Sequence, residues 1–367
     1  MHRTFTHILS ALCTLALLLV AAACDVHEFP ENGGEGGSDR VPFVLNLDFT
    51  GTMEMGFHKE IDYSKQSTSL QPLSADAEQQ VCDVRYTVHA YRVDANGNTA
   101  STPDTVITHT KQDISNLNYS MVIPLEKGTY KFLVWADYVT HGTTDDLYYR
   151  VADFKAVTYP SADGYVGCDD YRDAFRGEKD AAVTAAVNAD GTAPSATVVM
   201  ERPLAKFKFI STDLDEFLTL IAKRSHGKSA PQSRQELLDA ISRINVADYK
   251  VVFRYAGFMP CSFNVWTNKP NDSWTGIHFN GRMEKLSDTE SQLGFDYVMV
   301  NGKESTVAVA VYIYDRDGIL LSNSDPIDVP LKRNKLTVVR GRFLLSRASG
   351  GVGISNKFDG EYDYVVQ

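Results

Sequence analysis

Along most of this chain apolar and polar residues alternate with a period of two. Val41, Phe43, Leu45, Leu47 and Phe49 fall on one side and Pro42, Asn46, Asp48 and Thr50 on the other, and Cys82, Val84, Tyr86, Val88 and Ala90 repeat the pattern. Two is the period of a β-strand, so these runs predict strands with one face buried. The same reasoning predicts strands at SMVIPL, GTYKFLVWADYV, YYRVADFKAV, SATVVM, LAKFKFI, DYKVVFRY, TVAVAVYIYD, GILLSN and KLTVVRGRFLL. Asn96-Gly97 marks a tight turn because both residues tolerate positive φ. Asp315-Arg316-Asp317-Gly318 starts like a calcium loop, but GILLSN replaces the ligands that should follow, and strand patterns flank it on both sides; a hairpin turn is expected. Many strands joined by Gly, Asn, Asp and Pro turns predict a mainly β protein built of sandwiches.

Helical periodicity is confined to the second half. Ser233 and Glu236 stand at capping-box spacing before Leu237, Ile241 and Ile244, and TDLDEFLTLI, from Thr212 to Ile221, is a shorter candidate. Both are expected as short helices inserted in, or covering, a sheet of the second of two domains. The NADGTAPS loop suggests dividing the chain into residues 41–199 and 200–367.

The ends carry their own patterns. Residues 1–23 have the short basic start, apolar run and small-residue end of a secretory signal, followed at once by Cys24. Cys24 is expected to be lipidated, and residues 24–40, acidic and glycine-rich, to act as a flexible tether that holds the folded part off the membrane. At the other end KFDGEYDYVVQ puts Phe358, Gly360, Tyr362, Tyr364 and Val366 on one side and Asp359, Glu361, Asp363, Val365 and Gln367 on the other. Such a strand either completes its own sheet or is offered to another molecule.

Charge and chemistry narrow the function. A net charge of −11 gives no electrostatic reason to expect nucleic acid as a partner. Beyond Cys24, only Cys82, Cys168 and Cys261 remain, too scattered for a disulfide framework or a zinc site. There is no G-x-S-x-G, H-E-x-x-H or phosphate-cradling loop, and the histidines have no ligand spacing, so no catalytic, cofactor or metal residues are expected. In CDDYRDAFRGEKD the acids interleave with Arg172, Arg176 and Lys179, which reads as a solvated ion-pair surface. Trp135 falls within a strand and is expected to be packed. Trp266 and Trp274 lie in the loop-like NVWTNKPNDSWTG, either packed or forming an exposed platform for glycans of host or bacterial surfaces.

Taken together, the signal and Cys24, the glycine tether, GTYKFLVWADY, YRDAFRG, ERPLAKFKF, YAGFMPCSFNVWTNKPNDS and PLKRNKLTVVRGRFLL resemble the fimbrillin-type surface lipoproteins of anaerobic gut and oral bacteria. The resemblance spans nearly the whole chain after Cys24. It implies two tandem transthyretin-like Greek-key sandwiches, no enzyme, a place on the cell outer membrane and, in many members, assembly with other fimbrial subunits. In polymerising relatives a protease cuts after a basic residue near the start, an N-terminal strand leaves, and the groove accepts a strand from the next subunit. Arg40 is the obvious basic residue here, but a cut there leaves the Val41–Thr50 strand in place; Lys59 and Lys65 are placed to release it. The donor would be the tail, through Phe358, Tyr362, Tyr364 and Val366.

Overall fold

The alternation at Val41 to Phe49 forms β1 (Arg40–Asp48), with Val41, Phe43, Leu45 and Leu47 buried and the residues between them partly exposed. The computed structural model describes residues 40–53, 82–184, 188, 191–225, 231, 233–302, 304–345, 352–354 and 361–366. After a helical turn, α1 (Thr50–Met53), come β2 (Cys82–Val93), β3 (Thr105–Lys111), β4 (Tyr119–Glu126), β5 (Gly128–Thr140), β6 (Val157–Thr158), β7 (Ala174–Val183) and β8 (Ser195–Glu201). All but β6 join one sheet in the order β3-β2-β5-β7-β8-β1-β4. The β7–β8 link is only two residue pairs long, and Phe43 of β1 stacks at 5.4 Å on Phe132 of β5, a strand that is not its neighbour in the sheet. The sheet therefore folds back on itself at that link and encloses a first core. Gly177 sits at the fold: a Cβ there would meet Val198 Cγ1 at 2.4 Å and Met200 Sδ at 2.6 Å, so only glycine fits.

The second half runs β9 (Leu204–Ser211), α2 (Leu214–Ser225), α3 (Arg234–Ser242), β10 (Lys250–Tyr255), β11 (Met259–Asn264), β12 (Lys269–Trp274), β13 (His278–Arg282) and β14 (Glu284–Lys285). It ends with β15 (Ser291–Met299), β16 (Glu304–Tyr314), β17 (Leu320–Asn323), β18 (Ile327–Lys332), β19 (Leu336–Gly341), β20 (Val352–Ile354) and β21 (Glu361–Val366). One sheet is ordered β14-β15-β9-β19-β21-β20, and a second is ordered β13-β10-β16-β17 with β18 also on β16. Between them lies a second core, to which α2 adds Leu214 and Phe217. The protein is mainly β, with both longer helices between β9 and β10, as the sequence predicts. Ser233 caps α3 by accepting a bond from the Glu236 N–H at 3.1 Å, and Asp315–Gly318 forms the β16–β17 hairpin turn.

The two cores share a wall. Along β5, Tyr130, Phe132, Val134 and Ala136 face the first core while Leu133 and Trp135 face the second. A strand buried on both sides loses its polar alternation, which is why YKFLVWA reads as an unbroken apolar run.

One predicted strand does not form. YYRVADFKAV is an irregular excursion between β5 and β7, with only an isolated bridge at Arg150–Thr158 and the short β6 at its end. Its apolar residues Tyr149, Val151, Phe154 and Val157 plug the second core from the side, so burial is satisfied without a ladder. NVWTNKPNDSWTG corrects the sequence reading in the opposite direction: the loop-like segment is largely the β11–β12 hairpin, and β11 also pairs with β6.

Ion pairs hold the excursion in place. Arg85 makes a bidentate contact with Asp137 at 2.9 and 2.7 Å and reaches the carbonyls of Thr144 and Tyr149. At the far end the Arg172 guanidinium lies 4.2 Å from the Tyr165 ring centre, with its Nε 3.4 Å from Asp296 Oδ1. Asp296 also accepts from Tyr165 at 2.9 Å and Tyr255 at 2.7 Å, and burial pushes its carboxyl above the ordinary range against the pull of Arg172. The expected solvated ion-pair surface at Cys168–Asp180 is thus corrected: Arg172, Asp173 and Arg176 are buried. Their distant partners, Asp296 for Arg172, Arg202 for Asp173 and, besides the neighbouring Glu178, the Val265 carbonyl for Arg176, are ones that local spacing cannot reveal.

Candidate assembly site

Strand β1 lies inside its sheet although it opens the described chain. It runs parallel to β8, with Leu45 opposite Ala196, and antiparallel to β4, with Leu45 opposite Met121. β4 has no other strand partner in the sheet order, so β1 is its only link to β8. The slot that β1 fills is walled by Met121, Ile123 and Leu125 of β4 and by Val198 and Met200 of β8, and floored by Tyr86, Phe132 and Phe175. Phe49 closes the lower end edge-on to Tyr86 and Phe175, with ring centres 6.1 and 5.1 Å away. Its N–H donates to Asn118 Oδ1 at 2.8 Å, and Arg202 Nη1 donates to the Thr52 carbonyl at 2.8 Å. Burial raises the Tyr86 phenol, whose hydroxyl donates to the Leu117 carbonyl at 2.8 Å, so the floor is uncharged at any physiological pH.

Each large apolar side chain in such a slot is worth about 1.5–3 kcal/mol when fully buried, so Phe43, Leu45 and Leu47 hold β1 firmly. The exposed main-chain groups of β4 and β8 would be unpaired without it, which is the condition under which a sheet accepts a strand from elsewhere.

The tail also pairs. β21 runs parallel to β19, with Leu336 opposite Glu361 and Arg340 opposite Val365, and antiparallel to β20. Tyr362, Tyr364 and Val366 belong to that strand, whereas Phe358 lies outside the described residues. Cys24, Lys59 and Lys65 lie outside them as well. Arg40 is the exposed first residue of β1, in register with Glu126 of β4.

Trp266 and Trp274 do not stand side by side on one partner. Both are half-buried against the second core, Trp266 with its ring centre 4.4 Å from Tyr91 and Trp274 with its ring centre 6.2 Å from Tyr159. Trp135 is fully buried. Among the described residues no group of three or more His, Cys, Asp or Glu is arranged to hold a metal. Burial pushes the thiols of Cys82 and Cys261 up to about 11 and that of Cys168 up to about 12, and all three are unpaired, so none is a nucleophile at neutral pH. The interior position of β1 escaped the sequence reading. Strand order depends on which distant runs pair, and the alternation of one run does not encode it.

Several solved structures are similar to this chain. The fimbrial anchor protein Mfa2 from Porphyromonas gingivalis is 13% identical, with 77% of this chain and 82% of that chain covered and a TM-score of 0.35. The tip fimbrial protein Mfa3 from the same organism is 11% identical, covering 79% and 81%, with a TM-score of 0.35. A fimbrial assembly protein from Parabacteroides distasonis is 11% identical, covering 86% and 94%, with a TM-score of 0.37. No curated protein matches the chain. A family model matches residues 41–367, and the chain belongs to that family, described as a family of unknown function (DUF6562).

Proposed function

We propose that this protein is a non-enzymatic cell-surface lipoprotein, anchored to the outer membrane through Cys24, that serves as a fimbrial subunit or adhesion component and assembles by exchange of β-strands. The carrying observation is that the first strand of the described body is an interior strand, paired on both edges and linked onward through residues 54–81. Cutting that link after Lys59 or Lys65 would turn β1 from a tethered strand into a free peptide. Tethering keeps the local concentration of β1 in the millimolar range or above, so the cut is what lets a second strand compete.

The tail is the proposed donor. By alternation it offers Phe358, Tyr362, Tyr364 and Val366, comparable in apolar bulk to Val41, Phe43, Leu45 and Leu47, so the exchange is close to neutral in burial. In the free chain this strand is paired with β19, so donation also requires it to leave its own sheet. The proposed division of labour follows the two halves, residues 41–199 as acceptor and 200–367 as donor.

The test is to treat the chain lacking residues 1–24 with a trypsin-like protease and follow it on detergent gels. Oligomer ladders that resist sodium dodecyl sulphate, and that disappear when residues 357–367 are deleted, support the reading. A chain that is cut between residues 54 and 81 and stays monomeric contradicts it.

A further inference from the structure

The chain is acidic overall, yet one open face of its second half carries bare cations. Pairing of β10 with β13 and β16 sets Arg254 beside His278 and Ala310, Val252 beside Asn280 and Tyr312, and Lys250 beside Arg282 and Tyr314. These residues share one face of the sheet because each lies two positions from the next along its strand. Arg282 has a carboxylate nearby, Glu284, at 3.7 Å. Lys250 and Arg254 have no ion-pair partner among the described residues; the Arg254 guanidinium instead lies 4.5 Å from the ring centre of Tyr312.

A cleft of about 600 Å³ opens over this face, lined by Lys250, Arg254, His278, Asn280 and Tyr314, with Asp163 from the excursion as its one acid. That volume falls within the range of small-ligand sites. The side chains it exposes are polar, the ammonium, guanidinium, imidazole and amide together with the Asp163 carboxylate, the Thr275 hydroxyl and the half-buried Tyr314 phenol, whereas the lining residues Val252, Ile277 and Phe279 are themselves buried. No apolar pocket is therefore open to a peptide side chain.

We propose that this cleft binds an anionic saccharide, with carboxylate or sulfate groups taken by Arg254 and Lys250 and ring hydroxyls met by His278, Asn280 and Tyr314. Contact with the Tyr312 ring lowers the freedom of the Arg254 guanidinium, whose fork matches a carboxylate or sulfate. Lys250 and Arg254 rise from backbone positions about 13 Å apart along β10, a spacing suited to two separate charges. They fit successive charged groups of an extended chain better than a single small ion. This inference uses neither Trp266 nor Trp274 and stands apart from the strand-exchange reading.

The experiment measures binding of the chain lacking residues 1–24 to polygalacturonate, dextran sulfate and uncharged dextran by calorimetry at low and at physiological salt. Polygalacturonate or dextran sulfate should bind, and whichever does so identifies the anion as carboxylate or sulfate; uncharged dextran should not. The double variant Lys250→Glu with Arg254→Glu should weaken binding by about tenfold or more, and Tyr312→Ala by about threefold. A control with the same charge change at exposed sites elsewhere, Lys155→Glu with Lys179→Glu, should stay within about twofold of the parent. All of these residues except Tyr312 are solvent-exposed, and thermal unfolding checks that each variant is folded. No binding to either anionic polymer, equal binding to uncharged dextran, or equal loss in the control would overturn the assignment.

Discussion

The first core is closed by a strand from the start of the described chain, whereas the second is closed by an excursion from its middle. β1 fills its slot through side-chain burial and two main-chain ladders and carries no buried ion pair. The excursion between β5 and β7 makes almost no ladder and is fastened at one end by Arg85 of β2, which reaches Thr144, Asp146 and Tyr149, and at the other by Arg172–Asp296. The contrast is between a fit that another alternating strand can imitate and one that depends on named partners at fixed positions. Burial with a period of two is generic; a guanidinium packed on Tyr165 and Tyr159 and reaching Asp296 is not. The strand exchange proposed above would use the generic closure and leave the specific one in place.

Breaking the specific closure should have the largest effect. Arg172→Ala leaves Asp296 buried without its cation, a change that costs about 3–5 kcal/mol. Because the pair joins the excursion to the second core, denaturant unfolding should show one transition in the parent and two in the variant. An unchanged single transition with less than about 1 kcal/mol lost would mean that the ion pair does not brace the joint. Leu45→Ala tests the generic closure: the residue is fully buried, and the loss should be about 2–5 kcal/mol, confined to the first core as read by hydrogen exchange.

Acid sharpens the comparison at the shared wall. His89 is buried on β2, stacked at 3.8 Å on Phe154 of the excursion, and burial lowers its pKa to about 4. The unfolded chain, with histidine near 6.5, then binds the proton more readily, so stability is full above about 6.5 and falls as the pH drops towards 4. The loss should be on the order of 2–3 kcal/mol, and His89→Phe, which keeps a ring against Phe154, should flatten this part of the stability–pH curve. The smallest effect belongs to Arg342→Ala: its pairing with Glu216 is about half exposed on both sides and screened by water, and the denaturation midpoint should match the parent's.

The sequence shows the strands that alternate, such as β1, β2 and β16, and the long apolar run of β5, and hides those with neither pattern. β1 and β16 alternate and are legible; β12, mostly exposed, and β15, buried along most of its length, give no two-fold signal and were not expected. YYRVADFKAV has the composition of a strand, but its apolar residues serve a core with no free ladder beside them, and only the assembled sheets show this. The alternation of β1 and of the tail made both candidates for exchange, while the interior place of β1 follows from pairing with β4 and β8. The cationic face was invisible for a related reason: Lys250, Arg254 and His278 are unremarkable one by one and form a group only once β10 and β13 are in register.

The most direct test of strand exchange is a disulfide trap between two copies. Val122 is half-exposed on β4 opposite Val44 of β1, and Asp363 lies on the side of the tail that alternation turns outward. One population would carry Val122→Cys and the other Asp363→Cys or Val365→Cys, mixed before and after proteolysis of the 54–81 link, since paired strands bring opposed Cβ atoms within disulfide reach. Intermolecular cross-links that form only after the cut, and that excess tail peptide 357–367 competes away, are the predicted result. Cross-linking that is absent after complete cleavage, or equal with and without it, would contradict the account.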